Sequence, residues 1–334
     1  MNRLNGSRWT AFWLAPSALT RLDFVRQALG IVTAIYFIAS WSDVSTWYQQ
    51  GAPASSSNLA TFFRTAELTS DARWMVSPLF VWDSIFAGSR WSESALIYRL
   101  YLVIGVVLAV LTVFPKQLQQ LGLPARLSGL LGGFLPSLLL WVWFVGWANR
   151  IVLLAGIVEP LLSVSLAALA IAPCCLNRVD AGQRSSWTAT LSRRLLAVQA
   201  TLIGGLTSAT MIASPTWWNG MGAYALVAPT QDRLFDVRGT FFETPWVYEL
   251  TTFLLVCALP LGLILAWQTN FRRLGIGLIL AWCVLIGLLS ANVLYAATLG
   301  IIATTLGDDK TLDHASAGAN GAKTLDGRNV ATNS

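Results

Sequence analysis

Few residues in this chain are of a type and in a place to do chemistry. Glu159 lies deep in an apolar run, 151–172, and is followed directly by Pro160. In a continuous helix a proline has no N–H to give the carbonyl four residues back, here that of Gly156. A kink with a free carbonyl beside a carboxylate could hold a cation or a polar substrate group, or relay a proton. The structural alternative is that Glu159 pairs with Arg150 or another arginine, or reaches the outer interface. Ionisable groups in apolar spans are costly and mark sites to inspect first. Glu159 and Arg150 are therefore the candidate catalytic residues. Arg26, Arg99 and Glu249 sit near the ends of apolar runs, where the arginines can snorkel to the interface.

Much familiar chemistry is excluded. The single histidine, His314, lies in a polar tail, so no Ser–His or Cys–His pair and no histidine metal site can be built. There is neither a GxGxxG nor a P-loop. Cys257 and Cys283 fall within apolar runs. Cys174–Cys175 sits at an inner helix end, as an acylation site or as small apolar residues. No cysteine falls in an outer segment, so no structural disulfide is expected.

The elements that must position these residues are membrane helices. Hydrophobic residues make up 55% of the chain and charged ones only 11%, against about 25% charged in soluble domains. Sixteen tryptophans fit the same picture, because indoles collect at membrane interfaces. The net charge of +6 does not read as nucleic-acid binding, because the basic residues are scattered through short loops. The expected fold is all-α: a polytopic transmembrane helical bundle of about seven spans, at roughly 20 residues each. The runs are 24–41, 96–114, 129–147, 151–172, 195–213, 247–267 and 274–306. The last is long for one crossing; it either tilts and extends or breaks near Ser290–Asn292, making eight. Residues 24–306 form the membrane domain between an N-terminal segment, 1–23, and a disordered polar tail, 307–334.

Charge orients the bundle. With the N-terminus in the cytoplasm, inner segments hold 11 Lys/Arg against two acids, and outer segments hold six against eight. This is the positive-inside pattern. The short apolar patch at Trp9–Ala15 is broken by Arg21 and Asp23, so the first span is expected to act as an uncleaved insertion signal. The outer segments 42–95 and 214–246 are rich in Trp and Phe. They are expected to form membrane-surface helices, either as simple anchors or as a lid over the bundle. No internal repeat supports an inverted-repeat transporter.

At 193–227 the sequence "RRLLAVQATLIGGLTSATMIASPTWWNGMGAYALV" resembles the HTTM family, bacterial membrane proteins similar to vitamin K-dependent gamma-carboxylase. Its Trp217-Trp218-Asn219-Gly220 matches the family's Trp–Trp–x–Gly turn. Arg26 with Gly30 resembles the first-span pattern, and "SPLFVWDSIFAGSRW" the outer segment ahead of the second span. "GWANRIVLLAGIVEPLLSVSLAALAIAP" resembles the "RN…GGD" stretch, with Asn149 and Arg150 reversed and Glu159 near the expected acid. "CALPLG" followed by Arg272–Arg273 resembles the later proline-containing span. The resemblance covers roughly 20–305 and implies a bacterial cell (inner) membrane location. Arg26, Asn149, Trp217, Trp218, Asn219 and Gly220 are the ligand-binding or motif positions it implies. It also implies a lysine, a glutamate and a histidine for proton handling, and these fall on Met211, Val256 and Cys283. A thioether cannot act as a base, so carboxylation by the family's mechanism is not expected.

Three functional readings follow. The first is a non-carboxylating HTTM-like protein that binds an apolar ligand or a membrane or extracytoplasmic protein partner. The second is an enzyme acting at the outer face on a lipid-soluble, quinone-like cofactor or a peptide. The third is a small permease. No metal and no obligatory cofactor is expected, and the lipid bilayer is the surrounding partner.

Overall fold

In a bilayer an apolar segment can satisfy its own backbone only as a helix or in a closed barrel, and the described residues of this chain are mostly helical. The computed structural model describes residues 8–14, 17–18, 20–56, 58–59, 61, 77–114, 134–151, 154–172, 185–228, 239–240 and 244–307. The helices are α1 (Arg8–Leu14), α2 (Thr20–Ala39), α3 (Pro78–Ile85), α4 (Ala95–Val113), α5 (Leu135–Arg150) and α6 (Val158–Ala170). They continue as α7 (Trp187–Ala213), α8 (Pro215–Trp218), α9 (Gly222–Val227), α10 (Pro245–Trp267), α11 (Arg272–Leu289) and α12 (Val293–Ala303). A π-helical turn spans Val44–Tyr48 and a 3₁₀ turn, Thr304–Leu306, extends α12. Two-residue strands, β1 (Ser17–Ala18) and β2 (Ser185–Ser186), pair antiparallel.

Among the described residues five helices, α2, α4, α7, α10 and α11, are long and apolar enough to cross a membrane. The chain is thus a multi-pass membrane protein. Side chains such as Ile38, Leu206 and Ile264 stand 60% or more exposed on these helices, as surfaces that meet lipid do. Small residues let the helices approach. A Cβ at Gly30 on α2 would lie 2.7 Å from Val113 of α4, and Gly105 of α4 faces the Phe37 ring. Gly262 and Gly275 bring α10 and α11 together backbone to backbone, the small-residue contact that membrane helices use.

The long run 274–306 breaks where Ser290 and Asn292 stand. The Ser290 hydroxyl donates to Ile286 O and accepts from Asn292 N–H, at 2.7 and 3.1 Å, ending α11 and starting α12. α12 folds back against α11, α7 and α2. Arg21, at the start of α2, donates to Thr304 O at 3.2 Å, so Gly307 and the start of α2 lie at the same end of the bundle.

The run 151–172 also differs from its expected form. α5 continues through Arg150, and α6 begins only at Val158. Pro160 therefore occupies the first helical turn, where a missing N–H leaves no helix carbonyl without its donor. The expected kink and freed Gly156 carbonyl are absent, because Gly156 precedes the helix. Pro136 likewise opens α5 rather than bending it, while Pro260 lies inside α10. Cys174–Cys175, His314, the inner loop 115–128 and the tail from 308 onward lie outside the described residues.

Candidate functional site

The described parts of segment 42–95 fold onto the end of the bundle around Arg150, which is fully buried. Its guanidinium donates to Ala54 O at 2.7 Å, to Tyr48 O at 3.4 Å and to the Tyr98 hydroxyl at 3.0 Å from Nη2. It also lies 5.1–5.5 Å from the ring centroids of Tyr48, Phe80 and Tyr98. Tyr98 passes the interaction on by donating to Asp83 Oδ2 at 2.6 Å. Asp83 accepts further bonds from the Ser56 hydroxyl and from Glu93 N–H. Burial, together with the nearby Asp43, pushes the Tyr48 phenol above its ordinary pKa, and Arg150 partly opposes the shift. Tyr48 is thus a neutral wall of this pocket. Every Arg150 nitrogen is engaged by the protein itself, so the arrangement ties 42–95 to the bundle.

Glu159 is buried at the start of α6. Its Oε1 accepts from the Tyr36 hydroxyl and its Oε2 from Gly156 N–H, both at 2.7 Å. The second bond satisfies a backbone donor ahead of the helix, as capping carboxylates do. The expected pairing with Arg150 does not occur, because Arg150 turns toward Tyr98 and the outer segment. Arg26 does not snorkel either. It is buried, donating to Asp23 Oδ1 and to Ala172 O, both at 3.0 Å, and so joins the start of α2 to the end of α6. Arg99 lies near the Trp41 ring, at 5.5 Å from its centroid.

A large open groove lies elsewhere, between α6 and α7. Its volume is about 940 Å³, at the upper end of the range for small-molecule sites. Pro160, Val164 and Ile171 form one wall, Leu195, Leu202 and Leu206 the other, and Trp282, Ile286 and Tyr295 the floor. Val164, Leu202 and Leu206 are 55–64% exposed, so the groove opens sideways. Among the described residues no Asp, Glu, Lys, Arg or His lines it. Its polar groups are Gln199 partway along and Thr207, Thr210, Asn292 and Tyr295 at the end near α8. Gln199 is occupied in bonding Leu161 O and Ser165 of α6.

The expected site residues therefore divide. Trp217 and Met211 line the groove. Glu159 and Arg150 do not, so these four residues do not meet at one cavity. Glu159 lies on the α6 face that carries buried Leu162 and Leu166, away from the groove. Trp218 is exposed and donates to Ile212 O at 2.5 Å. Asn219 follows it, and Gly220 adopts φ +74° against Glu249, a left-handed turn that favours glycine. The Gly220 carbonyl accepts from Thr252, which fixes this turn to α10. Asn149 is half-buried beside Arg150. Val256 and Cys283 are buried in the core behind the groove.

Asp83, Tyr98, Tyr48 and Tyr36 were not singled out from sequence. An acid within the aromatic stretch Pro78–Ile85 was the available signal for Asp83. The groove left no signal, because its walls on α6 and α7 are aliphatic, as lipid-facing surfaces are. Comparison with family models, curated proteins and solved structures finds no match for this chain.

Proposed function

We propose that this chain is an HTTM-like protein of a bacterial cell (inner) membrane that takes an apolar ligand from the lipid phase into the groove between α6 and α7. The groove carries this reading: about 940 Å³, aliphatic walls, a lateral opening and no charged side chain among the described residues. Such a site favours the transfer of apolar surface and does not demand ion pairing. The position at which the family resemblance implies a base is Met211, a flexible thioether on the groove wall, which suits packing against an irregular apolar molecule.

In this reading α5, α6 and α12 join the five long helices as an eight-helix domain. α6, with 13 residues, covers about 20 Å of the roughly 30 Å core, so it dips into the membrane and the groove spans its length. The positive-inside distribution supports a cytoplasmic N-terminus, and with it the Arg21–Thr304 contact supports a cytoplasmic side for Gly307.

The test is mass spectrometry of apolar molecules copurifying with wild-type protein and with Leu206→Trp, which fills the groove from an exposed position. A molecule enriched over bulk membrane lipid in the wild type and lost from the variant, at equal protein yield, is expected. Recovery of bulk lipid in membrane proportions from both would overturn the reading.

A further inference from the structure

The polar groups of the groove are gathered at one end, and their chemistry selects a head group. We propose that the ligand is an uncharged lipid whose head carries both hydroxyl and ester groups, of the diacylglycerol kind, seated at Thr207, Thr210, Tyr295, Asn292 and Trp217. This inference rests on the groove reading above and specifies its occupant.

The Thr207 and Tyr295 hydroxyls lie 3.0 Å apart, joining α7 to α12 at this end. Thr210 donates to Thr207 O at 2.8 Å and keeps its lone pairs for a donor. Asn292 uses its backbone N–H on Ser290, while its side-chain amide has no hydrogen-bond partner among the described residues. The Trp217 indole N–H, across the same end, also has none. The end thus offers N–H donors from Trp217 and Asn292 and acceptors from Asn292 and the hydroxyls. A head that both donates and accepts satisfies them together.

Two other classes fit less well. A phosphate or free carboxylate would bring a charge into a groove lined, among the described residues, by no cationic side chain, and an unpaired charge in an apolar site is strongly disfavoured. A quinone head only accepts, so the Asn292 carbonyl and the threonine lone pairs would gain nothing from it. The rest of the groove, from Leu206 to Leu195 on α7 and from Pro160 to Ile171 on α6, is aliphatic but for Gln199. That end takes the chains.

The experiment uses full-length protein in nanodiscs and a diacylglycerol bearing a diazirine on one acyl chain. Dioleoylglycerol, dioleoyl phosphatidic acid, oleic acid and a menaquinone compete with it. Labelling of wild type, mapped to α6 or α7, with at least tenfold stronger competition by dioleoylglycerol than by the others, is expected. Asn292→Leu with Thr207→Val should reduce that preference to less than threefold while acyl-chain labelling persists. Asn292 is exposed, and Asn292→Leu alone is made in parallel to separate selectivity from folding. Groove labelling with equal or better competition by phosphatidic acid, oleic acid or menaquinone would overturn the head-group inference and leave the groove reading standing. No groove labelling by any probe would overturn both.

Discussion

The pocket around Arg150 and the groove between α6 and α7 are built on opposite rules. Around Arg150 the three guanidinium nitrogens all donate to the protein, to two carbonyls and a phenol, and that phenol donates on to Asp83. This network joins residues of distant elements to one another. In the groove the walls are aliphatic, and the polar groups collect at one end, where Thr207 and Tyr295 bond each other and the Asn292 amide and Trp217 N–H have no partner among the described residues. A buried charge is therefore a poor guide to the site in this chain. The arginine and the glutamate that attract attention in the sequence are bonded within the fold, while the groove is lined, among the described residues, by no Asp, Glu, Lys, Arg or His.

The comparison predicts where stability resides. Arg150→Met should have the largest effect. It removes the donors for Ala54 O, Tyr48 O and Tyr98, and buried acceptors left without donors cost about 1–3 kcal/mol each. A loss of about 3 kcal/mol or more is expected, read as a lowered thermal midpoint in detergent and faster proteolysis of segment 42–95. Groove labelling by a lipid probe should survive in the protein that remains folded. Loss of labelling at unchanged stability would show instead that Arg150 belongs to the ligand site.

Tyr98→Phe is a finer cut into the same network, deleting one hydroxyl that accepts from Arg150 and donates to Asp83. A loss of about 1–2 kcal/mol is expected. Double-mutant analysis with Asp83→Asn should give a total clearly smaller than the sum of the single losses, because the residues act as one unit. Additive effects would break the picture of a continuous chain. Glu159→Gln comes next. The amide oxygen can still accept one of the two bonds from Tyr36 and Gly156, so a loss of about 1 kcal/mol with unchanged yield is expected. A larger effect on ligand capture than on the unfolding midpoint would move Glu159 to the functional side of the comparison.

The multi-pass helical fold was legible in the sequence because long uncharged runs leave the backbone no other solution. The break at Ser290–Asn292 was legible as a choice, since both residues offer local side-chain hydrogen bonds that compete with helix continuation. The end of 151–172 was misread because Pro160 was placed inside a continuous helix. Proline is equally at home in a first turn, and the apolar residues between Arg150 and Val158 hide the interruption. The candidate site was less legible still. Glu159 and Arg150 stand out by charge, yet their partners Tyr36, Tyr98 and Asp83 come from distant elements that pattern alone does not pair. Trp217 and Met211 were named from a resemblance in sequence, and both lie on the groove. Its walls, Val164, Leu202 and Leu206, carry side chains that pattern cannot tell from ordinary lipid-facing ones.

The smallest expected stability effect comes from those walls. Leu202 is 60% exposed. In a bilayer its side chain exchanges one apolar environment for another on folding, because lipid tails are as apolar as leucine. Leu202→Ala should therefore change the unfolding midpoint by no more than a surface substitution does, within about 0.5 kcal/mol, whereas a buried leucine truncated to alanine loses about 2–5 kcal/mol. Leu196, one turn and a half away on the same helix and fully buried, is the internal control, and Leu196→Ala should show the larger loss. If Leu202→Ala proves equally destabilising, the groove is closed by packing in the folded protein and is not an opening toward lipid. If it is neutral and weakens capture of the labelled lipid, the two regions separate cleanly: one holds the bundle together and the other is kept open by the same apolar residues that would contact a guest.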